Sequence, residues 1–267
     1  MKRIGFHGVP RSGTTWVGNI FNSNPYVTYK HQPLYSYAFK DFLNNSSKKE
    51  DILRFFQQIS KSTDDYTNQK DLIKDGLVPN FTKLDDKSIV VYKEARYHHI
   101  IETLLREDDE FMFVGIIRNP ISTIWSWKNT PNEFKKDWDF EKEWKYGYLK
   151  NEGLVENFYG YEKWKEAANI FERVSELYPN RVHIMNYSEF LSDPYLETNR
   201  MFDKLGIRIH PQVMDFLNIS NSESKGPYSV FRKKELDGDW IDNIGDDIIN
   251  FIYDDLKDSE LEKYLQI

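Results

Sequence analysis

Short apolar runs alternate with stripes of helical period along most of the chain. Five segments read as strands buried in a parallel sheet: Arg3–His7, Tyr26–Tyr29, Ser88–Lys93, Phe111–Ile117 and Val182–Asn186. The clearest is Phe111-Met112-Phe113-Val114-Gly115-Ile116-Ile117, a continuous apolar run of the kind shown by a strand covered on both faces. Trp16, Val17, Ile20 and Phe21 fall at helical spacing, as do Ile100, Ile101, Leu104 and Leu105. Asp193-Pro194 opens a further helix, because the aspartate can cap free amides and proline suits the first turn; Gly206 stops it. Strands alternating with helices predict an α/β fold, a single domain over 1–267 with a central parallel sheet flanked by helices.

Three stretches stand outside that pattern. Residues 44–87 are polar and carry one amphipathic helix marked by Ile52, Phe55, Phe56 and Ile59. Residues 131–166 are rich in Trp, Tyr and Lys and read as helices packed over one edge. Residues 218–245 lack periodicity and read as a long loop, a kind of segment that often carries function.

Composition narrows the chemistry. With 267 residues and 39% hydrophobic residues, the chain can fill a sizeable core. A net charge of −7 argues against bulk nucleic-acid binding, so any anionic ligand must be held by a local cluster of basic groups and amides. The absence of cysteine excludes disulfides, thiolate metal sites and a Cys nucleophile, and no metal is expected. No stretch approaches a membrane span, and the chain opens directly into a strand, so it reads as cytoplasmic.

The first strand breaks into Gly8-Val9-Pro10-Arg11-Ser12-Gly13-Thr14-Thr15-Trp16. Gly8 and Gly13 have the spacing of a phosphate-binding loop, which makes the expected fold P-loop NTPase-like. Thr14 stands where a nucleoside triphosphatase has its lysine, and the basic residue has moved to Arg11. Such a strand–turn–helix aims several amides at one point with the helix dipole behind them. The displaced charge indicates an anion other than the β,γ-phosphate of ATP.

Pro10-Arg11-Ser12-Gly13-Thr14-Thr15-Trp16 resembles the 5′-phosphosulfate loop of the sulfotransferases that use 3′-phosphoadenosine 5′-phosphosulfate (PAPS). The resemblance implies that Arg11, Ser12, Gly13, Thr14 and Thr15 hold the phosphosulfate and that Trp16 lies against the adenine. By its spacing alone, Trp16 is equally a core residue of the helix. A second segment, Arg118-Asn119-Pro120 followed by Ser126, is similar to the family's 3′-phosphate site. A third, Phe231 to Trp240, looks like the family's Arg-Lys-Gly loop, which implies that Arg232 and Lys233 also reach the 3′-phosphate. Lys234 replaces the usual glycine there, and one extra residue precedes Gly238-Asp239-Trp240.

The resemblance implies transfer of a sulfonate group to a hydroxyl, leaving adenosine 3′,5′-bisphosphate, with Arg11 and Lys93 meeting charge on the leaving phosphate. The general base is less legible. Ala95 and Gln32 stand where family members carry a His or a Glu, so the candidates are Glu94 and His31, with His98 and His99 nearby. Arg96 is a possible partner for Glu94 that would weaken it as a base. The segments 44–87 and 131–166 are expected to cover the acceptor side, and 218–245 the nucleotide. The acceptor reads as a saccharide, a sterol or another small hydroxylated molecule, stacked on aromatics such as Trp138, Trp144 or Tyr148. The alternatives are a P-loop kinase and a nucleotide-binding protein without catalytic activity.

Overall fold

A computed structural model describes residues 1–85, 88–222, 225–226, 229–231, 237–238, 240–241 and 243–266. Its strands are β1 (Lys2–His7), β2 (Val27–His31), β3 (Ile89–Glu94), β4 (Phe111–Ile117) and β5 (Val182–Asn186). They form one sheet in the order β2-β3-β1-β4-β5, and every pairing is parallel. The predicted α/β architecture is therefore present, with β4 and β5 at the expected boundaries.

The largest displacement is in β2, which runs on to His31 past the expected end at Tyr29. Lys30 and His31 hide this extension, because two polar residues interrupt the apolar signal. Lys30 is nonetheless buried: its ammonium donates to the Ser62 carbonyl and to Asn68 Oδ1, each at 2.7 Å. Satisfying the charge within the sheet edge removes most of the cost of burying it.

Alternation along the strands divides the core into two layers. On one face Ile4, Phe6, Val91, Val114 and Ile116 pack with Val17, Ile20 and Phe21 of the helix Thr14–Ser23. Met201, Phe202 and Leu205 of the helix Pro194–Leu205 join them. On the other face Val90, Tyr92, Phe111 and Phe113 meet the amphipathic helix Lys49–Lys61, whose Ile52, Phe55, Phe56 and Ile59 are fully buried. Burying each such side chain contributes roughly 1.5–3 kcal/mol. The expected start and stop of the helix Pro194–Leu205 also hold. Asp193 accepts from the Leu196 amide, and Gly206 closes the helix in a left-handed conformation. No helix of the described residues is long and apolar enough to cross a membrane.

This topology sets where a ligand can gather. From β1 the chain moves to the β3 side, and after β3 it crosses to β4 on the other side. The helix after β1 lies on one face and the helix Pro120–Lys128, after β4, on the other. The carboxyl ends of β1 and β4 form the switch point of a doubly wound sheet, where such folds gather ligands.

Beneath the sheet's carboxyl ends lies a buried polar chain. His7 Nδ1 is 3.1 Å from His98 Nδ1, and His7 Nε2 is 3.1 Å from the Tyr92 hydroxyl. Burial lowers His7 to about 3 and holds His98 and His31 well below the ordinary imidazole value. These rings are neutral in the native state and take protons readily only when unfolded. Their contribution to stability is complete above about pH 6.5 and is lost as pH falls toward the folded values. Between pH 7.5 and 5, denaturant titrations should show stability falling by about 1–2 kcal/mol per histidine. His7→Leu should make that slope shallower.

Candidate active site

The turn after β1 is built by two left-handed residues. Arg11 has φ 75° and Gly13 has φ 78°. Arg11 tolerates a conformation that side chains disfavour, while glycine adopts it at little cost. A Cβ at Gly8 would sit 2.6 Å from Ile116 Cγ2, and one at Gly13 would strike the Tyr187 ring. Ser12 is fully buried and its Oγ has no partner among the described residues. No side chain caps the helix that begins at Thr14. An orphaned hydroxyl, a Cβ-free approach and an open helix N-terminus form the kind of nest that holds an anion.

Residues distant in sequence converge on this turn. Arg118, just past β4, donates from Nη1 to the Arg11 carbonyl at 2.7 Å. Arg11 Nε donates to Ser126 Oγ at 3.3 Å, and its guanidinium stands 3.9 Å from Glu133 Oε1. Arg118 also lies over the Tyr187 ring, 5.0 Å from its centre. The remaining face of Arg118 grips Asp237, with Nε 3.0 and 2.9 Å from the two carboxylate oxygens and Nη2 also bonded. The loop bearing Asp237 is tied down through its carbonyl, which accepts from Ser122 Oγ at 2.9 Å and Trp240 Nε1 at 3.0 Å.

Lys93 and Glu94 close β3 beside the turn. Both are buried. Burial lowers the Lys93 ammonium, with Glu94 and Glu133 opposing that shift, and raises Glu94 above the usual carboxylate range. Glu94 Oε1 accepts the Leu34 amide at 2.8 Å, while buried Oε2 has no partner among the described residues. His31, the register neighbour of Lys93, has both ring nitrogens near amides: Gln32 Nε2 at 3.1 Å and Gln69 Nε2 at 3.4 Å.

A profile of the sulfotransferase family matches residues 6–211, spanning the turn, β3, β4 and the helix that carries Ser126. The chain belongs to the sulfotransferase family. Solved structures share its fold at low identity. Mouse sulfotransferase SULT7A1 complexed with PAP matches at 15% identity and TM-score 0.59, over 99% of this chain and 88% of that one. Retinol dehydratase, solved with androsterone and inactive cofactor PAP, matches at 15% and 0.56, over 97% and 82%. The sulfotransferase domain of the Synechococcus PCC 7002 olefin synthase matches at 12% and 0.52, over 91% and 88%. No curated protein matches the chain.

In this sulfotransferase, Arg11, Ser12, Gly13, Thr14, Thr15, Arg118 and Ser126 gather around one turn. Trp16 is half-buried, edge-on to Phe190 at 4.7 Å, with its Nε1 donating to Ser220 Oγ at 2.9 Å. Arg232 and Lys233 lie outside the described residues. His98 is buried in the core against His7 and Phe158, away from the cleft. The expected Arg96–Glu94 pairing gives way to another contact, since Arg96 donates to Asn157 Oδ1 at 2.9 Å. Trp138 and Trp144 pack against the core, and Tyr35, Tyr66 and Tyr159 cluster with Arg96 near Glu94. Sequence reading missed Asp237, whose pairing with Arg118 spans 119 positions and leaves no local signal.

The turn yields a direct expectation. Gly13→Ala places a methyl against Tyr187, whereas Gly153→Ala, at φ 72°, meets no neighbouring atom. Both pay the backbone cost, so chemical denaturation should show Gly13→Ala less stable than Gly153→Ala by about 1–3 kcal/mol, the clash alone. Only Gly13→Ala should also weaken anion binding at the turn.

Proposed function

We propose that this sulfotransferase moves a sulfonate group from PAPS to a hydroxyl of an acceptor by in-line transfer, releasing adenosine 3′,5′-bisphosphate. The observation that carries this reading is the convergence of Arg11, Arg118 and Ser126 on a glycine turn that has Thr14 in place of a lysine. The turn offers amides, the Ser12 and Thr hydroxyls and one guanidinium, a donor set suited to a phosphosulfate. Arg118 and Ser126 take the 3′-phosphate, and Arg118 exchanges its Asp237 carboxylate for the phosphate oxygens. Arg232 and Lys233 are assigned to the same phosphate by resemblance. Trp16 presents its free face to the adenine.

The segments outside the sheet pattern wall the site, 44–87 and 131–166 on the acceptor side and 218–245 over the nucleotide. Tyr66 and Gln69, from 44–87, stand against His31 and Gln32. Asn157 and Tyr159, from 131–166, stand against Arg96. Asp237, from 218–245, covers Arg118. This supports a single domain in which those stretches form the walls of the site.

Transfer needs a proton acceptor and charge neutralisation. Glu94 takes the hydroxyl proton as the acceptor oxygen forms its bond to sulfur, and the bond from sulfur to the phosphate oxygen breaks. Its raised proton affinity and unpartnered Oε2 suit that task better than His31, whose nitrogens face amides and whose burial weakens it as a base. Lys93 and Arg11 meet the charge that develops on the departing phosphate. A base with a raised pKa must lose its proton before it works, so kcat/KM should climb with pH past the ordinary carboxylate range. Incubating radiolabelled PAPS with a wide pool of hydroxylated acceptors should give labelled product. Glu94→Gln should cut turnover at least a hundredfold and abolish the pH-dependent rise while leaving bisphosphate affinity intact. Absence of transfer from the whole pool would favour a binding protein without activity.

A further inference from the structure

The wall facing Lys93 and Glu94 carries charge that the transfer step does not use. Arg96 lies just past β3 and is half-buried, and its contacts are all neutral: Asn157 Oδ1 at 2.9 Å, the Tyr35 ring with its centre 4.1 Å away, and Tyr159. No carboxylate of the described residues forms an ion pair with it. Lys150 stands on the same Tyr159 ring, 5.2 Å from its centre, and is half-buried. The carboxylates that face this group are Glu94, Glu133 and, beside Lys150, Glu152, and Glu133 already lies toward Arg11. A chain of net charge −7 has thus gathered Arg96, Lys150 and Lys93 around one cleft. A half-buried guanidinium that forms no direct ion pair among the described residues gains from an anionic ligand.

An acidic, polyhydroxylated ligand can meet these cations and the neighbouring tyrosine hydroxyls, whereas a sterol would leave the cations desolvated. Tyr35, Tyr66 and Tyr159 add aromatic faces and hydroxyls within the same group.

We propose that the acceptor is an acidic saccharide, bound with its carboxylate or sulfate on Arg96 and its ring against Tyr35 and Tyr66. This rests on reading Lys93–Glu94 as the transfer site and narrows the acceptor from any hydroxylated molecule to one class. Arg96 grips the anion through its planar fork, which a lysine cannot reproduce.

The test is binding of 4-nitrophenyl β-D-glucuronide against 4-nitrophenyl β-D-glucoside, two ligands that differ only at the carboxylate. Titrations are run on the full chain with and without adenosine 3′,5′-bisphosphate, whose own affinity is measured separately. The glucuronide should bind at least tenfold more tightly. Arg96→Gln should abolish that preference without changing bisphosphate affinity, and Arg96→Lys should keep part of it. Thermal melts of both variants report whether the fold survives; should Arg96→Gln fail to fold, loss of part of the preference in Arg96→Lys decides the point. Equal binding, tighter binding of the glucoside, binding of neither, or a preference that survives Arg96→Gln would overturn the proposal. Failure of the bisphosphate to bind would instead count against the nucleotide reading, leaving the saccharide comparison to be judged on its own.

Discussion

The molecule is organised around a backbone constraint at the end of its first strand. Arg11 and Gly13 both adopt the left-handed conformation, and only through that double turn can β1 feed a helix while exposing its amides to one point. A non-glycine residue held there costs on the order of 1–3 kcal/mol, strain that persists only where the surroundings over-determine it. The surroundings do so here: Arg118 bonds the Arg11 carbonyl, Ser126 holds its side chain, and Tyr187 fills the space above Gly13. The two apolar layers beneath fix the strands from which these contacts arise. A turn that would be poor local structure in isolation becomes a stable consequence of the sheet order.

Charge is managed by the same geometry. The carboxyl ends of β1, β3 and β4 bring Arg11, Lys93, Glu94 and Arg118 together, in an overall acidic chain. The Arg118–Asp237 contact satisfies one guanidinium within the protein, by a carboxylate with two oxygens in the place proposed for a phosphate. A 3′-phosphate that binds there must displace that carboxylate, exchanging one charge-assisted contact for another. Lys93 and Glu94 are different, because burial rather than pairing dominates both. That leaves a carboxyl with high proton affinity beside an ammonium with a reduced one, a combination suited to proton transfer near neutral pH.

Much of the architecture was legible because it rests on local signals. The run Phe111–Ile117 is a strand to the residue, and Asp193-Pro194 with Gly206 brackets a helix as capping chemistry requires. The glycine spacing likewise marked the turn after β1, and Arg118 and Ser126 stand beside it. What escaped is non-local. Lys30 and His31 hid the end of β2 because their polarity is satisfied by a loop thirty-odd positions away. Asp237 escaped for the same reason. Trp138 and Trp144, named as examples of acceptor-stacking aromatics, pack against the core, while Tyr35 and Tyr66 cluster near Glu94, since periodicity does not say which aromatics a fold turns inward.

The central claim is that the turn from Gly8 to Thr15 serves a nucleotide carrying a 3′-phosphate rather than a triphosphate. Calorimetric titration of adenosine 3′,5′-bisphosphate against ATP, on the wild-type chain and on Arg118→Ala, tests it most directly. The account predicts that the bisphosphate binds at least a hundredfold more tightly than ATP and that Arg118→Ala removes most of that preference. A marked preference for ATP, or a bisphosphate affinity indifferent to Arg118, would contradict it.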